Sequence, residues 1–258
     1  MMKCKICHSI SNYIFESYML NKYKVNYYYC DNCEFLQTEE PFWLDESYAK
    51  PINCLDTGYV ERNLYYSKII TILFGIIFKK HSKFLDYAGG YGLFVRMMRD
   101  IGLDYYWDDK YTKNIFSTFF QFENDIIVEA ITAFEAFEHF NNPIEEIEKI
   151  LMISKNIFFS TEILPKPIPK PEEWWYYGLE HGQHISFYSS KTLDYISNKY
   201  DLYYYNIKNL HIFSEKKLNI FLLKLLLFNK FYLFKILKFK LKSKTLKDHK
   251  LIKDSFNN

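Results

Sequence analysis

The chain has 258 residues, 49% hydrophobic and 25% charged, the composition of a globular protein with one large domain or a medium domain with small attachments. Its formal net charge of +2 hides an asymmetry: from Glu215 onward twelve lysines oppose three acids, a local +9, leaving −7 for a body that does not read as a nucleic-acid binder. The longest apolar run, Ile69 to Phe78, is about half a membrane span, and no apolar stretch follows the first lysines, so a soluble, cytoplasmic chain without signal peptide is expected.

Residues 1–40 read as a small metal-binding module. Cys4-Lys-Ile-Cys7 and Cys30-Asp-Asn-Cys33 form two pairs with 22 residues between them. In a reducing compartment such pairs serve as metal ligands more often than as disulfides. Four thiolates on two short knuckles complete a tetrahedral, structural zinc site, with unrelated or redox thiols as the alternative. His8 is not needed as a ligand, and Cys54 reads as a lone thiol. "NYIFESYML" and "KVNYYYC" are the expected strands of this knuckle or ribbon. Over 41–80 a helical connector is expected, because "RNLYYSKIITILFGIIF" repeats apolar residues at helical spacing.

From 81 to 213 short β-like runs alternate with helices, which predicts an α/β, Rossmann-like three-layer sandwich around a parallel sheet. "KFLDYA" is the first strand, "LFVRMMRDIG" the helix after it and "LDYYWDD" the second strand. "EAITAFEAFEHF" runs from strand into loop, a helix enters through Pro143, and "KNIFFSTEIL" is a further strand. The Pro-rich "PKPIPKPEEWWYYG" is an irregular insertion, either an aromatic lid over an acceptor or a packed flap. A helix capped by Ser189 or Ser190 and closing strands follow. Residues 214–258 form a basic, amphipathic tail. On an unbroken helix Lys217, Lys224, Lys235, Lys238 and Lys242 would share one stripe, suited to peripheral contact with a membrane surface or acidic partner, or to solvent.

The stretch Leu-Asp-Tyr-Ala-Gly-Gly-Tyr-Gly, residues 85–92, has two candidate ligands. A dinucleotide loop requires G-x-G-x-x-G; counted from Gly90 and Gly92, the third glycine falls on Val95 and is missing. The alternative, acid-x-G-x-G-x-G, is the loop of S-adenosylmethionine-dependent methyltransferases. Asp86, Ala88, Gly90 and Gly92 match it with one glycine replaced by alanine, and Gly89 lies alongside. An acid at the end of the second strand binds ribose hydroxyls in either case; Asp109 stands 17 residues past Gly92, with Asp108 as its rival.

Downstream, "AFEAFEHFNNP" resembles the fourth-strand motif of class I methyltransferases. "EHGQHISFYSSKTL" resembles a segment of zinc-containing sugar C-methyltransferases of polysaccharide and deoxysugar biosynthesis, which also begin with a cysteine-rich domain. The resemblance runs in order over residues 1–213 and leaves the tail and the Pro-Trp insertion unexplained. It implies S-adenosylmethionine at Asp86, Ala88, Gly89, Gly90, Gly92 and Asp109, with Phe134 and Glu135 lining its far side. It also implies a sugar or nucleotide-linked sugar as acceptor and His184 as general base, beside His181 and His139. A neutral imidazole suits that role, because its ordinary pKa lies near working pH. One alternative is a packing role for His184. Another is a divalent metal held by Glu135, Glu138 and His139, with His181 or His184 added, as in the O-methyltransferases that this stretch also resembles. A nicotinamide-dependent sugar oxidoreductase and a non-catalytic zinc-binding interaction module complete the alternatives.

Overall fold

The computed structural model describes residues 2–49 and 56–256; Cys54 lies outside them. In chain order the elements are β1 (Met2–Lys3), β2 (Ile10–Met19), β3 (Tyr23–Tyr29), β4 (Leu36–Thr38), α1 (Leu44–Ser47) and α2 (Tyr59–Ile77). Then come β5 (Lys83–Tyr87), α3 (Leu93–Ile101), β6 (Asp104–Asp108), β7 (Ala130–Ala133), α4 (Pro143–Ile153) and β8 (Ile157–Ser160). The chain continues through β9 (Ser186–Phe187), α5 (Ser190–Lys199), β10 (Tyr203–Ile207), β11 (Leu210–Ser214), α6 (Ile220–Phe228), α7 (Lys230–Leu241) and α8 (Thr245–Ser255). The fold is α/β with a mixed sheet, parallel over β6, β5 and β7 and antiparallel over β8, β11 and β10, together with a separate N-terminal antiparallel sheet.

Two compact units divide the chain, one from residues 1–53 and 133–217, the other from 54–132 and 218–258. In the second unit β5 pairs in parallel with β6, from Lys83 opposite Asp104 to Tyr87 opposite Asp108, and with β7 on its other side. Helix α2 sets Ile69, Ile70, Leu73 and Phe74 on its buried face. The Phe74 ring lies 4.5 Å from Phe84 on β5, so the helix covers the strands by aromatic packing. The tail is not one unbroken helix. It breaks at Asn229 and again at residues 242–244, which puts Asp248 of α8 in the interior. There the Arg99 guanidinium grips both Asp248 carboxylate oxygens at 2.8 and 2.9 Å, and Arg96 donates a third bond at 2.9 Å. Burial alone would raise the Asp248 carboxyl, but the two arginines hold it below the usual range.

In the first unit the N-terminal sheet runs β1-β2-β3-β4-β9. Strand β9 comes from the "HISFYSS" segment, where alternation over two residues is too short to signal a strand. It pairs with β4 through Leu36–Phe187 and Gln37–Ser186. The apolar core of this unit gathers Met19, Val25, Tyr27, Leu36, Trp43 and Phe187 around Tyr176 and Tyr177 of the Pro-rich insertion. Trp174 packs on the same cluster, leaving only Trp175 of the four aromatics exposed, at 75%. The insertion is therefore a packed flap and not an aromatic lid. Helix α4 begins with Pro143, and α5 is capped by Ser189, whose hydroxyl accepts the Thr192 N–H at 3.0 Å.

Candidate active site

The glycine loop lies wholly within the second unit. Strand β5 delivers Asp86 to the interior, 3% exposed, where its Oδ1 accepts the Thr132 hydroxyl at 2.7 Å. Burial foremost, with Asp109 adding to it, pushes the Asp86 carboxyl up to about 7. The chain then turns through Ala88, in the left-handed region at φ +55°, and reaches Gly92 at φ +80° on the threshold of α3. A Cβ on Gly92 would meet the Asn114 amide oxygen and the Ser117 hydroxyl at 2.5 Å, and one on Gly89 would meet an Asp86 carboxylate oxygen at 2.8 Å. Glycine at these two positions is a steric requirement of close approach. Ala88 carries its methyl in a conformation that costs a residue with Cβ about 1 kcal/mol. The turn thus accepts alanine at the cost of local strain.

The segment after β6 fastens this loop. Gly90 N–H donates to Asp109 Oδ2 at 2.9 Å, and Tyr111 and Thr112 N–H groups donate to Asp109 Oδ1 at 2.7 and 2.8 Å. The Gly90 carbonyl accepts from Trp107 Nε1 and the Thr112 hydroxyl. Both Asp109 oxygens therefore brace backbone. Asp108, the last residue of β6, is half-buried, with the Asp109 N–H as the backbone partner of its carboxylate. Burial, then the charge of Asp109, raises its carboxyl. A strand-end carboxylate next to a glycine loop has the chemistry to accept ribose hydroxyl hydrogens. Loop and acids together fit the adenosine end of S-adenosylmethionine.

The histidines and Glu138 converge in the first unit. After β7, Phe134 leads into Glu135 at φ +51°, whose N–H donates to Ser160 Oγ at 2.8 Å while Oε1 accepts from the same hydroxyl at 2.6 Å. A tight turn, Phe137–His139, carries Glu138 inward to full burial. The segment around residue 185 is sewn to this turn: Ile185 N–H donates to Glu138 O at 2.9 Å, Ser186 Oγ to Phe140 O at 2.7 Å and Tyr188 Oη to Phe137 O at 2.9 Å. Those bonds bring His184 beside His139, ring centroids 4.9 Å apart. Ligand atoms of Glu138, His139 and His184 all lie within 4.8 Å of one another.

Hydrogen bonds set the tautomers of both rings. His139 Nδ1 lies 3.1 Å from the Gln183 carbonyl and His184 Nδ1 lies 2.6 Å from the Tyr176 carbonyl. A carbonyl only accepts, so His184 Nδ1 donates to Tyr176, and His139 Nδ1, which the Tyr48 hydroxyl also approaches at 3.2 Å, donates to Gln183. Burial foremost, then repulsion by His181, pushes His139 down to about 4, which keeps that ring neutral. His181 has the opposite arrangement: its Nδ1 accepts the Gln183 N–H at 3.2 Å, which places its proton on Nε2. It borders His184 at 4.7 Å between ring centroids but stands outside the converging set.

Glu138 is the anomaly. Neither of its fully buried carboxylate oxygens has a hydrogen-bond partner. Burial foremost, then Glu135, pushes its carboxyl well above the usual range, and the nearby Tyr176 and Thr161 hydroxyls offset this only in part. Those two hydroxyls bond each other at 3.1 Å. A buried carboxylate without a hydrogen-bond partner, grouped with two imidazoles whose Nδ1 atoms lie against backbone carbonyls, has the donor chemistry that a divalent cation uses. Of the residues expected to hold a metal, Glu138, His139 and His184 are brought together, and Glu135 is turned to Ser160.

The four cysteines of the N-terminal sheet form a second donor set. Cys4 and Cys33 sulfurs lie 3.4 Å apart, as do those of Cys7 and Cys30, and all four fall within 4.8 Å. Thiolates at the corners of a zinc tetrahedron stand about 3.8 Å apart, so the cluster fits that ion.

Residues 59–206 match the family model described as a methyltransferase domain. No curated protein matches the chain. Among solved structures, the plantazolicin methyltransferase BpumL in complex with SAH is similar at 16% identity and TM-score 0.45, over 63% of this chain and 77% of that one. CalO1, a methyltransferase in calicheamicin biosynthesis, is similar at 12% identity and TM-score 0.38, over 60% of this chain and 57% of that one. An O-methyltransferase family 2 protein from Planctomyces limnophilus DSM 3776 is similar at 12% identity and TM-score 0.40, over 67% and 65%. The family match sets aside both the nicotinamide oxidoreductase and the non-catalytic module.

Proposed function

The chain belongs to the methyltransferase domain family and is an S-adenosylmethionine-dependent methyltransferase, and from that premise we propose that it methylates an oxygen of a small, sugar-like acceptor with the help of a divalent cation at Glu138, His139 and His184. The observation that carries the cation is the buried Glu138 carboxylate without a partner. A cation there supplies Lewis acidity to an acceptor oxygen and favours its deprotonated form. The chain's own residues supply the rest. The Gln183 and Tyr176 carbonyls fix the two rings, Glu138 provides the negative charge, and the loop at 88–92 admits the cofactor. The sugar-like acceptor rests on the likeness of the "HISFYSS" segment to sugar methyltransferases.

Asp86 serves the methionine end of the cofactor and Asp108 its ribose, in place of Asp109. Asp108→Ala is expected to weaken S-adenosylhomocysteine binding about tenfold or more, the worth of a charge-assisted bond. Calorimetry on wild type and variant decides this; unchanged affinity returns the ribose to another group.

For the cation, Mn²⁺ added to the purified protein is expected to raise its melting temperature. At a hundredfold excess over Kd the gain corresponds to about 2.7 kcal/mol. A flat titration overturns the site.

A second reading has one observation of its own, the Nε2 lone pair that the Tyr176 carbonyl imposes on His184. In that reading His184 is the general base for a sugar carbon or oxygen and no cation is required. It predicts full turnover without added divalent ion and no Mn²⁺ stabilisation.

A further inference from the structure

The methyltransferase chemistry leaves the C-terminal helices unexplained. Between Leu218 and Lys247 the chain has eight lysines and not one Asp or Glu. Helices α6 and α7 hold themselves to their own unit by a narrow seam. Leu223 is buried, and Leu237 sits on Gly75 of α2, 3.4 Å from where a Cβ would stand. The remaining face is open and aromatic. Phe221 is 76% exposed, Phe228 85%, Phe231 66% and Phe239 88%. The patch continues onto α2, where the Lys230 ammonium lies 4.7 Å over the Tyr65 ring and that of Lys68 5.8 Å over Phe231. Leu64 and Tyr65 are exposed there too.

We propose that this α6–α7 face docks on the surface of an anionic phospholipid bilayer. Large rings left in water among lysines are unfavourable for a free surface but suit an interface, where phenyl groups sink below the headgroups and lysine stems reach up to the phosphates. Each lysine near an anionic leaflet adds attraction; the stretch itself has no carboxylate, and Asp100 of α3 is the acid that lines a groove with Lys235 and Lys238. With twelve residues α7 is about 18 Å long, against about 30 Å of hydrocarbon, so the helices lie in the surface plane. Among the described residues no helix is long and apolar enough to cross a membrane. A second copy of this chain fits poorly, because the five lysines of α6 and α7 would face five like charges. Nucleic acid would leave the phenylalanines without a role.

The test is flotation of the full chain with vesicles of phosphatidylcholine alone and of equal parts phosphatidylcholine and phosphatidylglycerol. Binding is expected only to the anionic vesicles and to fall with added salt. The triple variant Phe228→Ser, Phe231→Ser, Phe239→Ser, and separately Lys235→Glu with Lys238→Glu, are each expected to lower partitioning about tenfold or more. Calorimetric binding of S-adenosylhomocysteine by both variants verifies that they are folded. The proposal is overturned by absence of flotation on anionic vesicles, or by flotation that neither variant weakens. A concentration-dependent dimer in light scattering that the phenylalanine variant abolishes would assign the face to a second copy instead, and overturns it equally.

Discussion

Glu138→Gln is expected to lower methyl transfer about a hundredfold or more while leaving S-adenosylhomocysteine affinity within about threefold of wild type. The two halves of that expectation have different causes. Glutamine keeps the shape of the side chain but removes the only anionic ligand of the cluster, so a cation held by two neutral imidazoles alone would dissociate readily. In the proposed assignment cofactor affinity comes from the loop at residues 88–92 and the acids at 86 and 108, which bond to Thr132, Asp109, Trp107 and Thr112. Stability separates this from a folding defect. A carboxylate buried without a partner is a cost to the metal-free fold, so the neutral isostere should leave its melting temperature unchanged or higher. If His184 were instead a base acting alone, Glu138→Gln would keep most of the turnover, and only His184→Ala would lose it. Initial rates of both variants, with and without Mn²⁺, discriminate the two cases, and near-wild-type turnover in Glu138→Gln sinks the cation.

Sequence and structure agree wherever the signal is local. The strand into Asp86, the glycine turn, the Pro143 entry into α4 and the Ser189 cap each depend on a few neighbouring residues whose chemistry leaves little choice. The double Cys-x-x-Cys spacing likewise predicts the convergence of four sulfurs that the fold displays. What the sequence hides is decided by partners distant in the chain. That both carboxylate oxygens of Asp109, and not those of Asp108, fasten the glycine loop depends on where Gly90, Tyr111 and Thr112 point their N–H groups, and two adjacent aspartates look alike until then. Glu135 and Glu138 are likewise equivalent in the motif; Ser160, 25 residues beyond Glu135, is what separates them. The aromatics of the insertion looked equally fit for a lid or a core. Their burial follows from a sheet that closes only when β9 reaches back to β4, a pairing of two residues with no periodicity to betray it. The tail is no single lysine stripe because its helix breaks at Asn229, between Lys224 and Lys235, and beyond Lys242 Asp248 finds two arginines and turns α8 inward.

Cys33→Ser tests whether the pairing of β9 with β4 ties activity to the cysteine cluster, and the expected result is that it does. Cys33 lies three residues before β4, and its carbonyl accepts the Thr192 hydroxyl at 2.8 Å at the head of α5. Strand β4 in turn holds β9, and Thr38 N–H donates to the Ile185 carbonyl at 3.1 Å, next to His184. Gln37, fully buried, ties the same strand to the first knuckle: its amide donates to the Lys3 carbonyl and its oxygen accepts the Lys5 N–H. A structural zinc is worth about 10–16 kcal/mol of folding free energy in small domains, more than most whole domains hold in reserve. Losing one of four thiolates should therefore release the knuckles, then β4, then the register that places His184 beside Glu138. The expected result is a zinc content well below one per chain, turnover reduced about a hundredfold or more, and rapid amide exchange at residues 36–38 and 184–188. Cofactor binding by the glycine loop should persist, since Asp109, Trp107 and Thr112 of its own unit brace that loop. Hydrogen exchange read alongside zinc analysis settles the point. A Cys33→Ser protein that lacks zinc yet keeps protection at 184–188 and full turnover would mean that the sheet holds its histidine without the metal.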